Sequence, residues 1–136
     1  MSDKVIVIGA GAAGLMAAGV AAERGKEVIL IEKNDKPARK VMITGKGRCN
    51  VTNNCNLDEL IANTPRNARF LYSAFSAFSP ADTMEFFEKR SVPLKTERGN
   101  RVFPVSDKAV DIVDALVNSA KKLGVKFIKN TKVLLI

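Results

Sequence analysis

Two strand-length apolar blocks stand near the start of the chain, Val-Ile-Val-Ile at 5–8 and Val-Ile-Leu-Ile at 28–31. Between them lie Gly9-Ala10-Gly11-Ala12-Ala13-Gly14 and a small-residue, helix-compatible run that ends at Gly25. That order predicts a strand, a helix and a second strand, the opening of a β-α-β unit. Residues 57–90 read as helical. Phe70, Leu71, Ala74, Phe75 and Phe78 follow one apolar stripe, and Met84, Phe86 and Phe87 follow another after Ser79-Pro80 and Asp82, which signal a helix start. Residues 94–105 read as a hairpin, with runs at 94–97 and 101–103 flanking Arg98-Gly99-Asn100 and Pro104 ending the second strand. Residues 106–123 predict a helix with Ala109, Val110, Val113, Leu116, Val117 and Ala120 on its apolar side. Lys121 and Lys122 complement its dipole and Gly124 stops it. Strands are expected at 125–128 and 132–136.

The pattern gives an α/β fold: a Rossmann-like parallel sheet with a β-α-β start, an inserted helical segment and a short hairpin. The divisions expected are 1–56 for the glycine fingerprint and the loop after it, 57–92 for the helical insertion, and 93–136 for the hairpin, helix and returning strands.

The glycines sit at G-x-G-x-x-G spacing, and an acid, Glu32, closes the second strand about 20 residues on. Gly9 permits a tight turn, Gly11 a close backbone approach to a pyrophosphate, and Gly14 close packing of helix on sheet. The free N–H groups and dipole of the helix start favour phosphate. The Glu32 carboxylate can accept from ribose hydroxyls. A signal-peptide core or short membrane span over 5–22 is the competing reading, as is a β-α-β unit that binds nothing. Both fit poorly, because the run is rich in Ala and Gly and its glycines fall on the fingerprint positions.

Composition narrows the class. At 136 residues, 46% hydrophobic and 26% charged, the chain has the means for one domain with a real core. Two cysteines, no histidine and no secretion signal point to the reducing cytoplasm and away from a zinc site. The net charge of +8 is compatible with nucleic acid, an anionic membrane or an anionic small ligand. The basic residues are dispersed and the aromatics form no stacking pattern, so a basic surface around a phosphate ligand is the simpler account, with neither nucleic acid nor membrane as partner.

The chemistry is expected between Lys33 and Asn56. Arg39, Lys40, Lys46 and Arg48 are interleaved with Gly45 and Gly47, which suits a loop whose amides and cations surround an anion. Asn50, Thr52 and Asn53 add groups able to orient a heterocycle; an ordinary polar loop is the alternative. The block Thr44-Gly45-Lys46-Gly47-Arg48-Cys49-Asn50-Val51-Thr52-Asn53, with the fingerprint and Glu32-Lys33, resembles a bacterial flavoprotein family. That family includes aminoacetone oxidases, bile-acid reductases of the BaiN type and NAD(FAD)-utilising dehydrogenases. Its usual loop has glycine where Lys46 stands. The block from Arg98 to Ser106 also matches, and the resemblance covers essentially the whole chain.

The resemblance implies FAD as cofactor, in the N-terminal FAD-binding portion of a flavin-dependent oxidoreductase. Gly9, Gly11, Ala12, Ala13 and Gly14 would hold the pyrophosphate, Glu32 the ribose, and Lys33 would lie beside the adenosine. Lys40 and Thr44, Gly45, Gly47, Arg48, Cys49 and Asn50 would run along the flavin end, and Val133 would meet the adenine through its backbone. NAD(P)H is a candidate electron donor, the substrate is an unidentified small molecule, and no catalytic residue is assigned. The family continues well past this length, so the chain is expected to be the first third of an enzyme. Alternatives are a dithiol flavoenzyme using Cys49 and Cys55, a Rossmann enzyme using NAD alone, and a non-catalytic binding fragment. The five residues between the cysteines argue against the first. Two reduced thiols are expected instead, with the cations around Cys49 able to lower its pKa. Arg101 is a further candidate contact to substrate or flavin.

Overall fold

A computed structural model describes residues 3–136. The two apolar blocks form β1 (Lys4–Ile8) and β2 (Glu27–Ile31), joined by α1 (Ala12–Glu23). They pair in parallel from Lys4↔Glu27 to Ile8↔Ile31. β6 (Lys126–Ile128) pairs in parallel with the other edge of β2, giving the order β1-β2-β6. The fold is therefore the α/β, Rossmann-like one expected. The 5–22 run is a strand, a glycine turn and a 12-residue helix, and no helix among the described residues is long and apolar enough to cross a membrane.

Before β6 the chain makes a second, antiparallel sheet. β4 (Leu94–Glu97) and β5 (Arg101–Pro104) form the expected hairpin, and β3 (Thr52–Asn53) adds to the free edge of β5, in the order β3-β5-β4. Sequence periodicity overlooks β3, because two residues carry no alternation to read.

The helical insertion consists of α3 (Leu57–Ala62), α4 (Ala68–Ala77) and α5 (Pro80–Glu88), counted after a short α2 (Arg39–Ile43). α5 starts as its sequence predicts. Ser79 Oγ accepts from the Asp82 amide at 3.1 Å and Asp82 Oδ2 from the Ser79 amide at 2.8 Å. Asn56 and Glu59 make the same reciprocal pair on α3. The stripe assigned to α4 is not a core stripe here: Phe70 is 84% exposed and no residue of α4 is buried.

The core lies between the parallel sheet and the pair α1 and α6 (Ala109–Lys122). Leu15 and Ala18 from α1, Val28 and Leu30 from β2, and Ile112, Leu116 and Ala120 from α6 are all buried. Each large aliphatic side chain so covered contributes about 1.5–3 kcal/mol relative to exposure. α6 begins later than expected, because Asp107 is left-handed and Lys108 extended. Its buried side is rotated to include Ile112 and Ala115, leaving Val110 exposed. The strand expected at 132–136 does not form. Residues 129–136 make hydrogen bonds from Asn130 to Asn34 and from Thr131 to Glu32, and the β-prone residues Leu134, Leu135 and Ile136 are exposed without a ladder partner among the described residues.

Candidate cofactor site

β1 is followed by Gly9, whose amide donates to Ile31 O at 2.7 Å and whose φ is +95°. The chain turns there and enters α1 at Gly11 without a side-chain cap and with no acid in the first turn. Gly11, Ala12 and Ala13 are exposed, so the amide-rich helix start faces open space. The two later fingerprint glycines do different work. A Cβ on Gly14 would lie 1.8 Å from Gly9 O, so only glycine lets α1 sit this close to the turn; a Cβ on Gly11 would meet nothing within 4 Å, in the space a ligand would need.

Glu32 is only 7% exposed and serves the same turn from below. Its Oε2 accepts from the Ala10 amide at 2.8 Å. Its Oε1 accepts from the Asn34 amide at 2.9 Å and from Asn34 Nδ2 at 2.7 Å. Burial alone would raise its pKa, but the Asn34 and Ala10 amides, the Asn34 side chain and the Lys33 charge together hold it below the ordinary carboxyl value. Asn34, which sequence reasoning missed, also accepts from Arg39 Nη1 at 3.1 Å. Its only sequence signal is its place two residues after the strand-end acid.

The chain then returns to the helix start. The Ala38 amide donates to Ala10 O at 2.7 Å, and Ala38 itself is buried and left-handed before α2. In the loop that follows, Gly45, Lys46, Gly47 and Cys49 all have positive φ. Left-handed non-glycine residues such as Lys46 and Cys49 cost of order 1–3 kcal/mol each. The loop closes through Arg48 N to Gly45 O at 3.2 Å and Cys49 N to Thr44 O at 3.0 Å. Asn50, oriented to satisfy both groups, places Nδ2 3.0 Å from Thr52 O and 3.2 Å from Val102 O.

A cavity of about 420 Å³ joins the two halves, lined by Gly11, Ala12, Lys40, Thr44, Cys49 and Asn50 together with Met16, Ala38, Val41, Val51, Phe78, Thr83, Phe86, Phe87, Ile112 and Leu116. Six of the site residues expected from sequence thus share one largely apolar space. Gly9, Gly14 and Glu32 frame the turn beside it, and Lys33 is exposed next to Glu32. Gly45, Gly47, Arg48 and the half-buried Val133 do not line it. A larger groove of about 950 Å³ between the end of α1, residues 89–93 and α6 contains none of them, and its lining mixes charges of both signs.

One expectation about a side chain is corrected. Cys49 is buried, and burial pushes its thiol pKa up despite a hydrogen bond with Thr44; the cations nearby in sequence do not lower it. Cys55 is likewise raised, by burial and by Glu59, and both thiols are free. Arg101 is exposed, and its Nε donates to Arg98 O at 3.0 Å.

An open glycine turn with an uncapped helix start, a buried acid closing the next strand and a cavity at the carboxyl ends of parallel strands define a Rossmann-type dinucleotide-binding module. The chain belongs to the family of the HI0933-like protein Rossmann domain, whose model matches residues 3–136. This is a family of FAD-binding Rossmann domains, and the open start of α1 is the feature that would take the cofactor's diphosphate. Among curated proteins, the chain is 36% identical over 129 residues to the ribosomal RNA dihydrouridine synthase of Escherichia coli K12, covering 95% of the chain and 32% of that protein. It is 29% identical to the 3-dehydro-bile acid delta(4,6)-reductase of Clostridium scindens, covering 96% and 32%. It therefore spans about a third of these relatives. In fold it is similar to the 3-ketosteroid-delta4-(5alpha)-dehydrogenase of Rhodococcus jostii, with a TM-score of 0.67 at 15% identity over 94% of the chain and 38% of that structure.

Proposed function

We propose that this chain holds FAD as the N-terminal part of a flavin-dependent reductase that saturates an electron-poor carbon–carbon double bond. The observation that carries the reading is the open, uncapped start of α1 leading into the 420 Å³ apolar cavity. The amides opening α1 would bind the diphosphate, with Gly9, Gly11, Ala12, Ala13 and Gly14 keeping the backbone close to it. Glu32 fixes the turn through Ala10 and offers its remaining lone pairs to the ribose; Lys33 and the Val133 backbone lie on the adenosine side. Lys40, Thr44, Gly45, Gly47, Arg48, Cys49 and Asn50 form the loop along the flavin end, and the cavity behind them excludes water. When bound, the flavin supplies the two-electron transfer. The chain has no histidine, so a proton for the substrate comes from lysine, Tyr72, a carboxylate, water or another part of the protein.

The substrate class is suggested by the two relatives' names. Dihydrouridine is uridine with one ring double bond saturated beside a carbonyl, and a bile-acid delta(4,6)-reductase likewise names ring double bonds. A small ring compound is the first reading, with NAD(P)H as electron donor. The name of the Escherichia coli relative suggests a second, a base within RNA, with which the +8 charge is compatible. The two free thiols support a reducing, cytoplasmic setting.

Titration with FAD, ADP and NAD tests the cofactor. Perturbed flavin absorbance and tighter binding of FAD than of ADP are expected, since only FAD fills the cavity. Equal affinity for ADP and FAD would leave the cavity without a role, and preference for NAD would replace the cofactor. RNA binding that weakens steeply with salt and survives FAD would favour the second substrate reading.

A further inference from the structure

We propose that Arg48 is a positioning residue, the strut through which the antiparallel sheet shapes the cofactor loop, and that it is not the cation that meets the cofactor's phosphates. This deepens the FAD reading and rests on it. Arg48 Nη1 donates to both Glu97 oxygens, at 2.9 and 3.2 Å, and to Asp107 Oδ1 at 3.2 Å. Its guanidinium carbon lies 4.0 Å from the centroid of the Phe103 ring. Phe103 is 2% exposed, so the surface on which Arg48 rests is fixed. Lys95 closes the cluster, with Nζ 2.8 Å from Asp107 Oδ2 and 3.5 Å from Glu97 Oε1.

Two observations separate strut from ligand. First, two cations and two carboxylates cancel, which leaves this cluster little attraction for an anion; Lys40 and Lys46 are without an ion-pair partner among the described residues and remain available. Second, the loop has much to hold and little internal means of holding it. Gly45, Lys46, Gly47 and Cys49 are left-handed, against the internal bonds of Arg48 N and Cys49 N. Gly45 is seated against the same ring: a Cβ there would lie 3.1 Å from Phe103 Cε1. Arg48 and Gly45 thus clamp the loop on Phe103 from two positions. A planar guanidinium can stack and donate at once, which an ammonium cannot.

The test compares the chain with its Glu97→Gln and Arg48→Lys variants by FAD affinity, ADP affinity and amide hydrogen exchange in the cofactor-free chain. A strut predicts FAD binding about tenfold weaker in both variants and ADP binding unchanged, because ADP does not reach the loop. It also predicts exchange of the Cys49 amide about tenfold faster, with β1 and α1 unaffected. If Arg48 were a phosphate ligand, Glu97→Gln would free it and tighten FAD; that result overturns the proposal. So does a parallel loss of FAD and ADP binding, or an unchanged Cys49 exchange rate. Should the unaltered chain bind neither nucleotide, the FAD reading fails, while the exchange measurement still decides whether the strut exists.

Discussion

Two carboxylate-centred constructions hold the two ends of the site, and they differ in almost every physical respect. At the glycine turn, Glu32 is buried and accepts from backbone amides two residues and 22 residues away in the chain. At the cofactor loop, Glu97 and Asp107 are partly exposed and accept from side chains, Arg48 and Lys95, across separations as large as 59 residues. Hydrogen bonds from fixed amides to a buried charge are insensitive to salt, whereas exposed ion pairs are screened. The first end is built into the backbone; the second is assembled by side chains over a strained loop.

The largest effect expected is at Gly14. Gly14→Val places a side chain into Gly9 O and should cost about 3 kcal/mol or more, read as a fall in the urea midpoint, with nucleotide binding lost. Next is Glu32→Ala, which strands the Ala10 amide and should cost on the order of 2 kcal/mol in thermal unfolding. The same residue gives a pH signature. Its folded pKa is depressed, so its contribution is full above the ordinary value of 4.5 and is lost as pH falls through the lower folded value. The Glu32→Ala variant should therefore show a shallower acid limb in stability against pH than the unaltered chain.

Gly11 sharpens the contrast with Gly14. Gly11 has φ −78°, and a Cβ there meets nothing, so Gly11→Ala should leave the chain folded, at a cost of about 1 kcal/mol or less because alanine is a poorer N-cap, while weakening nucleotide binding. Sodium chloride near 1 M should speed amide exchange in residues 44–50 and leave residues 9–14 unchanged; equal acceleration at both ends would erase the distinction. The smallest effect is at the thiols. Cys49→Ser and Cys55→Ser should leave flavin reduction intact, and native Cys49 should react slowly with thiol reagents near neutral pH.

The same contrast explains what could be read along the chain. The turn, α1 and Glu32 are legible because their geometry is local: Gly9 turns the chain at positive φ, Gly14 packs on Gly9 O and Glu32 accepts from Ala10, all within one β-α-β unit. The Arg48 loop is recognisable as a motif, but its conformation depends on Phe103, Glu97 and Asp107, which no spacing announces. α2 is hidden because it starts from a left-handed Ala38 with no capping side chain. Cys49 misleads for a related reason: the sequence shows cations beside it but not the burial that outweighs them. The 132–136 segment has strand composition, and composition alone supplies no ladder partner. Spacing places the α6 stripe close to the side that is buried, and Ile112 is the residue that fixes its rotation.

The most direct test is FAD titration of the chain and of Gly11→Val, followed by flavin absorbance, with circular dichroism to confirm the fold. Saturable binding with a shifted flavin spectrum, lost in the folded Gly11→Val variant, is the predicted result. Undiminished FAD binding by that variant would contradict a cofactor gripped at the start of α1.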